Sequence, residues 1–403
     1  MAISVLSGSP QAATPVYNKM LFKVSGSLTS GANYRYVCDV KNAAGTTTLA
    51  RLKCDKLPTT NYGFFDVSRV VETLMAPTVP TLTQAGFADH AGFYSGYRLA
   101  FMEEYGATPV VQTGTVTTVS GKTAFAGNLE QLELTSWSGS LYFPSGGGFD
   151  DGISRSLATN VRRTVYSNSY GWLCQGVGSG FPSPQDTVAG ISYYTAAGVL
   201  VRTYEVSIGS ASGSTVFRFG AGPMNIKALT SGQCQDGQAG SVNFPTAEGA
   251  YYTIIFADAG GSASIPFTYV IGPCERFNSQ PVHFINKYGG IDSYTFTLKN
   301  RKRANVQRDT FGYNSDVYAT LTYDKVWAGS FDYVYALNSD WLTDAESEWL
   351  IELVRSGQVW LELDGQLVEA VVNANQYQFV TRRNDQLQQL QLEVAIAYKN
   401  NIL

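Results

Sequence analysis

The strongest constraint on the fold is a strand-like segment at residues 281–303, which reads PVHFINKYGGIDSYTFTLKNRKR. Two short runs flank Gly289 and Gly290, and the second run alternates apolar with polar side chains. A period of two with aromatic and β-branched residues is typical of a half-buried β-strand. The segment therefore predicts two strands joined by a tight glycine turn.

The composition extends this prediction to most of the chain. Of 403 residues, 40 are glycine, 13% are aromatic and only 15% are charged, which favours many short strands with tight turns. The length suits about two to four domains. A formal net charge of -4 argues against a general nucleic-acid-binding protein. We expect a mainly β fold of serial immunoglobulin- or fibronectin-like β-sandwich modules, followed by a small C-terminal α+β unit.

Three segments share the order strand, small-residue turn, strand, and they lie at residues 34–54, 191–206 and 252–271. Each turn contains one glycine (Gly45, Gly198 or Gly260) where a hairpin needs a residue that tolerates a positive φ. We predict three hairpins. Duplication and convergent turn chemistry explain their similarity about equally well.

The pattern of turns and strands predicts three regions. They are an N-terminal β-sandwich with one short helix at residues 1–106, a middle β-sandwich region of one or two modules at 107–315, and a C-terminal α+β unit at 316–403. Asp66 is the predicted N-cap of the short helix. In the last region Thr343 and Glu346 have capping-box spacing before a helix that Gly357 ends, and Asp364 with Gly365 predicts a hairpin.

The residue types that carry chemistry are sparse. His90 and His283 lack neighbours at metal-ligating spacing, and we expect His283 to be a packed core histidine. None of the five cysteines is in a CxxC pair, so we expect buried thiols. Asp150 and Asp151 suit either a calcium ligand pair or a solvated turn. No pattern indicates catalysis, and we predict a non-enzymatic protein without cofactor or metal.

Basic residues cluster where the alternating strand ends, at Lys299, Arg301, Lys302 and Arg303. One interpretation is that they are charges on an edge strand that prevent unwanted pairing. The other is that they bind an acidic patch on a neighbouring subunit. They are the candidate subunit contact. A nucleic-acid site would need interleaved aromatic residues and a basic domain, and both are missing.

A second candidate surface is aromatic. Tyr166, Tyr170 and Trp172 lie in or beside a loop, where their rings could stack on a sugar. They predict a host-surface glycan as an alternative partner. A glycan-cleaving enzyme is a third hypothesis, although no pair of carboxylates specifically indicates it.

The chain is expected to be a soluble protein made in the cytoplasm. Its N-terminal residues, MAISVLSGSPQAATP, lack the positive charge and apolar core of a signal peptide. No apolar run is long enough to span a membrane. We expect no membrane partner.

Three segments of the chain, at residues 62–75, 283–303 and 339–363, together resemble virion structural proteins of tailed bacteriophages, most closely those of phages of Bacteroidetes-type hosts. The matching residues of the glycine-led strand are Asn286, Tyr288, Gly289, Gly290, Asp292 and Phe296. The resemblance implies a tail, tail-tip or neck subunit of the virion. It would act through contacts with other copies and neighbouring virion proteins in a symmetric assembly. The alternative is a receptor- or carbohydrate-binding adhesin of the virion, and the resemblance supplies no catalytic residue.

Overall fold

The computed structural model describes residues 3–26, 29–144, 148–150, 152–177, 187–208, 216–258, 260–273, 277, 279–313, 323–373, 389–398 and 400–401. Strands dominate these residues, and the prediction of a mainly β fold is confirmed. The described strands form five sheets. Four of the sheets pair into two β-sandwiches, and a helix covers the fifth.

The first sandwich packs a three-stranded sheet (order β1-β3-β6) on a five-stranded sheet (order β2-β9-β8-β4-β5). The elements of this part are β1 (Ser4–Val5), β2 (Ala13–Pro15), β3 (Leu21–Ser25), β4 (Arg35–Asn42), β5 (Thr48–Asp55), β6 (Tyr62–Asp66), α1 (Ser68–Glu72), β7 (Phe87–Asp89), β8 (Tyr94–Tyr105) and β9 (Val110–Phe125). Phe22 and Phe65 of the smaller sheet meet Phe101 of the larger one, with ring centroids 6.0 and 5.8 Å apart. These rings lie in a buried core shared by both sheets.

The second sandwich packs a five-stranded sheet (order β10-β16-β15-β12-β13) on a three-stranded one (order β11-β14-β7). Its elements are α2 (Gln131–Thr135), α3 (Gly139–Tyr142), β10 (Arg163–Val165), β11 (Trp172–Gly176), β12 (Val188–Tyr194), β13 (Leu200–Ser207), β14 (Val216–Gly220), α4 (Pro223–Lys227), β15 (Tyr251–Ala257) and β16 (Phe267–Ile271). Phe217 and Phe219 face Phe256 across the core, at 5.6 and 6.4 Å between ring centroids. We call the five-stranded member the second-sandwich sheet.

The last sheet has the strand order β18-β17-β21-β22-β23-β20-β19, with β24 pairing to β20. Its elements are β17 (Gln280–Ile285), β18 (Ile291–Phe296), β19 (Arg301–Tyr313), β20 (Tyr323–Asn338), α5 (Asp344–Arg355), β21 (Val359–Leu363), β22 (Gln366–Val372), β23 (Gln391–Ile396) and β24 (Asn400–Asn401). Helix α5 begins at the predicted capping box, in which the Glu346 amide donates to Thr343 Oγ1 at 3.2 Å. Trp349, Leu350 and Leu353 of the helix are buried in the core that covers this sheet.

The sheets extend across the predicted domain limits, which stay a prediction. Strand β9 follows residue 106 but pairs with β8 in the first sandwich. Strand β7 comes from the N-terminal region but pairs with β14 of the second sandwich. Strands β17 and β18 precede residue 316 and belong to the last sheet.

All three predicted hairpins are present, with one correction to a turn. Gly45 and Gly198 have positive φ values of 75° and 80°, as predicted. In the third hairpin the residue with positive φ is Gly261, at 84°, and not Gly260, because the turn closes at Gly261, whose amide donates to the Asp258 carbonyl at 3.0 Å. Cys38 lies opposite Leu52 and not opposite Cys54, and the described cysteines are free thiols.

The prediction for the N-cap of α1 is wrong by one residue. The structural N-cap is Val67, whose side chain makes no capping hydrogen bond. Asp66 still acts at this end, since its Oδ1 accepts from the amides of Ser68 at 3.1 Å and Met20 at 3.2 Å. The carboxylate therefore joins the start of the helix to Met20, the residue that precedes β3.

Candidate functional site

The turn between β17 and β18 contains four of the six matching residues of the glycine-led strand, which are Asn286, Tyr288, Gly289 and Gly290. The Asn286 side-chain oxygen accepts from the amides of Tyr288 at 2.9 Å and Gly290 at 3.0 Å, which closes the turn. Gly289 has a φ of 77°, a conformation that glycine adopts without strain. The Asn-x-Tyr-Gly-Gly pattern is thus explained by local turn geometry.

The same turn touches two other parts of the chain. Asn286 Nδ2 donates to the Leu157 carbonyl at 2.9 Å, and the His90 ring contacts the Gly289 carbonyl at 2.9 Å. A Cβ placed on Gly290 would lie 2.1 Å from the Leu157 oxygen, so only glycine fits this close backbone approach. The turn is where both sandwiches meet the last sheet.

Asp292 anchors this meeting point electrostatically. Its Oδ2 accepts from Arg163 Nη2 at 2.8 Å and from Trp349 Nε1 at 2.7 Å, while Oδ1 accepts from Asn286 Nδ2 at 3.0 Å. The side chains of Arg163 and Asp292 are only 3% and 2% exposed. Arg163 also stacks over the rings of Trp349 and Phe267. One carboxylate therefore ties β10, β18 and α5 together, and we call this cluster the buried junction.

Replacing Asp292 with Asn should destabilise the chain by about 3–5 kcal/mol, because Arg163 would be left as an uncompensated buried charge. Urea unfolding followed by tryptophan fluorescence measures the change. The matched control is Asp55→Asn, which breaks the exposed pair with Arg35 and should cost under about 1 kcal/mol. Equal effects of the two substitutions would contradict the assignment.

A cavity of about 290 Å³ opens beside the junction. Its lining includes Tyr17, Asn128, Asn286, Lys287, Glu352 and Arg355. Lys287 Nζ lies 2.6 Å from Glu133 and 3.5 Å from Glu352, and Arg355 lies 2.5 Å from Glu130. These ion pairs join the α2 region to the turn and to α5. The charges around the cavity thus connect elements of the fold.

Glu352 is the most perturbed carboxyl of this cavity. Burial and, secondarily, the nearby charge of Asp292 raise its pKa to about 7, and Lys287 opposes the shift. Its Oε1 accepts from Thr159 Oγ1 at 2.5 Å. At neutral pH the protonated form is therefore substantially populated in the folded chain.

The raised pKa of Glu352 predicts that stability falls as pH rises. Between the ordinary pKa of 4.5 and about 7 the folded chain keeps a proton that the unfolded chain releases, so stability is lost across this window. We expect the free energy of unfolding to drop by about 1–3 kcal/mol between pH 5 and pH 8. Glu352→Gln should remove most of this slope in urea titrations. Glu348→Gln, on the exposed side of the same helix, should leave it intact, and an unchanged slope in Glu352→Gln would exclude the assignment.

Both histidines are core residues. His90 is fully buried, and burial lowers its pKa to about 3. His283 is equally buried, and its Nδ1 lies 2.8 Å from Ser293 Oγ. The prediction of a packed, hydrogen-bonded His283 is confirmed.

A projecting hairpin is the second notable feature. Residues 304–313 of β19 and 323–333 of β20, which we call the arm, pair with each other beyond the end of β23. Residues 301–312 of β19 are all exposed. Among the described residues only β24 flanks the arm, at Ser330 and Phe331. The outer part is a two-stranded ribbon.

One face of the arm continues the apolar face of the last sheet. Leu337 and Tyr335 are 1% and 8% exposed in the core beneath α5. Two and four residues beyond Tyr335, Tyr333 and Phe331 are only half-buried, and Val306, which pairs with Phe331, is 44% exposed. These apolar side chains form a stripe that continues from the buried core onto the arm, where it is only partly covered by the described residues.

The four basic residues predicted as a subunit contact lie at the base of the arm, and they are Lys299, Arg301, Lys302 and Arg303. All are exposed. Arg303 is paired with Glu393, and the Lys302 amine lies 3.8 Å from the Tyr333 ring centroid. Two of the four thus interact within the chain. Strand β19 lies at the edge of the sheet, where basic side chains would prevent unwanted pairing with other strands.

The aromatic residues predicted as a glycan platform do not form one. Trp172 is 1% exposed and Tyr166 is 7% exposed, and Tyr170 is half-buried. Trp172 lies on β11, opposite Gly220, with its ring packed on His283 at 5.1 Å. Trp172 is buried because β11 places it between the second sandwich and the last sheet, in one core with Ile285 and Trp360.

Asp151, half of the predicted calcium pair, lies outside the described residues. Within the described residues, no group of three or more His, Cys, Asp and Glu side chains is arranged to hold a metal ion. Among the same residues no helix has the length and apolar character needed to cross a membrane.

Two of the three comparisons with known proteins found no match. No protein-family model matches the chain, and no curated protein does. Among solved structures, a trypsin-activated alpha-2-macroglobulin from Escherichia coli is similar at 8% identity and a TM-score of 0.20. The match covers 97% of this chain and 21% of that one. This chain thus spans about a fifth of that protein, and the low score carries no argument about function.

Proposed function

We propose that the chain is a structural subunit of a bacteriophage particle, a tail, tail-tip or neck component that acts through contacts between copies and with neighbouring virion proteins. The arm carries this proposal. It presents the large apolar side chains of Val306, Phe311 and Trp327 at 44%, 43% and 64% exposure. An exposed apolar surface of this kind is typical of an interaction site.

The energetics of the arm support the same function. Beyond its pairing with β24 the described part of the arm is a two-stranded ribbon, and an isolated two-stranded ribbon is only marginally stable in water. Its apolar stripe is continuous with a buried core, so a partner that covers the stripe would extend that core. An arm held on a rigid sheet reaches a neighbour without rearrangement of the chain that carries it.

Interactions within the chain limit which of the four basic residues can belong to the predicted subunit contact. Arg303 and Lys302 already interact with Glu393 and Tyr333. Lys299 and Arg301 remain at the exposed base, where charges rim an apolar contact in many interfaces. The proposed contact is therefore the stripe of the arm, with these two cations at its edge.

Removing the outer arm should stop incorporation into particles. The change replaces residues 305–332, which include Val306 and Phe331 of the stripe, by Asn-Gly, and this joins the paired residues Ala304 and Tyr333 through a two-residue turn. Tagged wild-type chain, supplied during phage growth, should sediment with purified particles, and the shortened chain should stay in the lysate. Circular dichroism and thermal unfolding check that the shortened chain is folded.

The matched control is Leu132→Ser, which removes an 81% exposed apolar side chain on α2 and should not affect incorporation. Recovery of the shortened chain in particles at the wild-type level would contradict the proposed role of the arm. Absence of the wild-type chain from particles would contradict the virion function itself.

A further inference from the structure

The outer face of the second-sandwich sheet is the feature that the arm does not explain. Along its strands buried residues such as Ile191, Tyr204 and Ile254 alternate with outward residues. The outward residues are half-buried or exposed, and they are Val188, Gly190, Ser192, Tyr194, Val201, Thr203, Glu205, Ser207, Tyr251, Thr253, Ile255, Ala257, Thr268 and Val270. We call this set the uncharged face.

Charge is almost absent from this face. Its single carboxylate is Glu205, on the edge strand β13. One cation borders the face, since the exposed Arg162 guanidinium lies 5.7 Å from the centroid of the Tyr251 ring. The central strands β12 and β15, and their neighbour β16, contribute only apolar, hydroxyl and tyrosine side chains. A sheet face in permanent contact with water usually carries charged residues, which keep the protein soluble.

The first sandwich supplies an internal comparison. The outward face of its five-stranded sheet carries the ion pairs Arg35–Asp55, Arg51–Asp39 and Lys53–Glu104, at 2.9, 2.6 and 2.7 Å. Both sheets have five strands in the same chain. The composition of the chain therefore does not explain why the face in the first sandwich carries several ion pairs and the uncharged face carries none.

Side chains on the uncharged face lie against each other rather than projecting outward. The Tyr194 and Tyr251 rings stack in parallel at 4.6 Å between centroids, with an interplanar angle of 9°. Ser192 Oγ and Thr203 Oγ1 are 3.0 Å apart. Flat, laterally satisfied faces can stack on a second sheet at about 10 Å.

The turn at the end of the β12–β13 hairpin extends the apolar surface. Val199, Leu200 and Val201 are 61%, 54% and 46% exposed, and they follow one another in the chain. Three consecutive exposed aliphatic residues are seldom left in water without a partner.

We infer that the uncharged face packs against the same face of a second copy of this chain. Self-contact is favoured because the face carries almost no charge to repel its copy or to select a charged partner. A two-fold axis would place each outward residue opposite a residue of the same set, and hydroxyl groups can both donate and accept across it. Sheet-on-sheet stacking would also cover the aliphatic turn.

The area of the uncharged face limits the affinity of this contact. Four strands of about seven residues cover about 400 Å² per copy, roughly half of a standard interface. The contact should therefore be weak alone and should act together with a second one. In this respect the inference rests on the proposed function, in which the arm supplies the second contact, but the residues of the two surfaces are different.

The test places a like charge at the centre of the face. Thr253→Lys is made in the arm-shortened chain, so that only the face contributes, and self-association is followed by sedimentation equilibrium over rising concentration. The arm-shortened parent should dimerise. The lysine, opposite its own copy, should raise the dissociation constant at least about tenfold.

The matched control is Thr118→Lys, at an exposed position on the ion-paired face of the first sandwich, which should leave the constant unchanged. Thermal unfolding of all variants separates lost association from lost folding. A monomeric parent at its highest soluble concentration would overturn the inference, as would equal effects of the two lysines. Glycan-array binding by a monomeric parent, abolished by Thr253→Lys, would also overturn it and assign the face to carbohydrate. Because particle incorporation is scored separately, failure of the arm and failure of the face give different results.

Discussion

The Asp292 carboxylate is the interaction on which the rest of the structure depends. A buried carboxylate is stable only when opposite charge and hydrogen bonds replace the water it has lost. Arg163, Trp349 and Asn286 supply those bonds from the second sandwich, from α5 and from the turn beside β18. Because hydrogen bonds are directional and apolar contacts are not, bonds to this one carboxylate fix the positions of β10, α5 and the turn relative to each other.

This junction gives the surfaces of the chain a rigid support. The last sheet carries the arm at one edge, with β18 at the other. Since β18 holds Asp292, the position of the sheet relative to the second sandwich is set by the junction. The arm and the uncharged face are therefore presented in a constant geometry. A constant geometry between two contact surfaces is what repeated copies need to close into a symmetric assembly.

Local features of the fold could be predicted from the sequence, and distant pairings could not. The hairpins and the start of α5 follow from turn glycines and from the Thr343–Glu346 spacing, which act over a few residues. Asp292 is a charge within a largely apolar strand, which could have marked it as buried. Its partners Arg163 and Trp349 are 129 and 57 residues away, and no local pattern connects them.

The surface residues show the same limit of prediction from sequence, since their exposure depends on strands that are distant in the chain. Trp172 looked like a loop residue because polar residues precede it, but pairing with β14 buries it. The alternation of VAGISYY shows that one side of β12 is uncharged. Only the order β16-β15-β12-β13 shows that this side joins the outward sides of β13, β15 and β16 in one face. The basic cluster was expected at the end of the alternating strand, but that strand, β18, ends at Phe296, and Arg301 begins β19 at the opposite edge of the sheet. The pairing of Arg303 with Glu393 depends on β23, which lies about ninety residues further along the chain.

Electron cryomicroscopy of particles that contain the chain tests the account most directly. The account predicts that the chain fits the density as one rigid body, repeated by symmetry. In every copy a neighbour should cover the arm, and a second copy should cover the uncharged face of the second-sandwich sheet. Particles without this chain, or copies in which both surfaces face solvent, would contradict it.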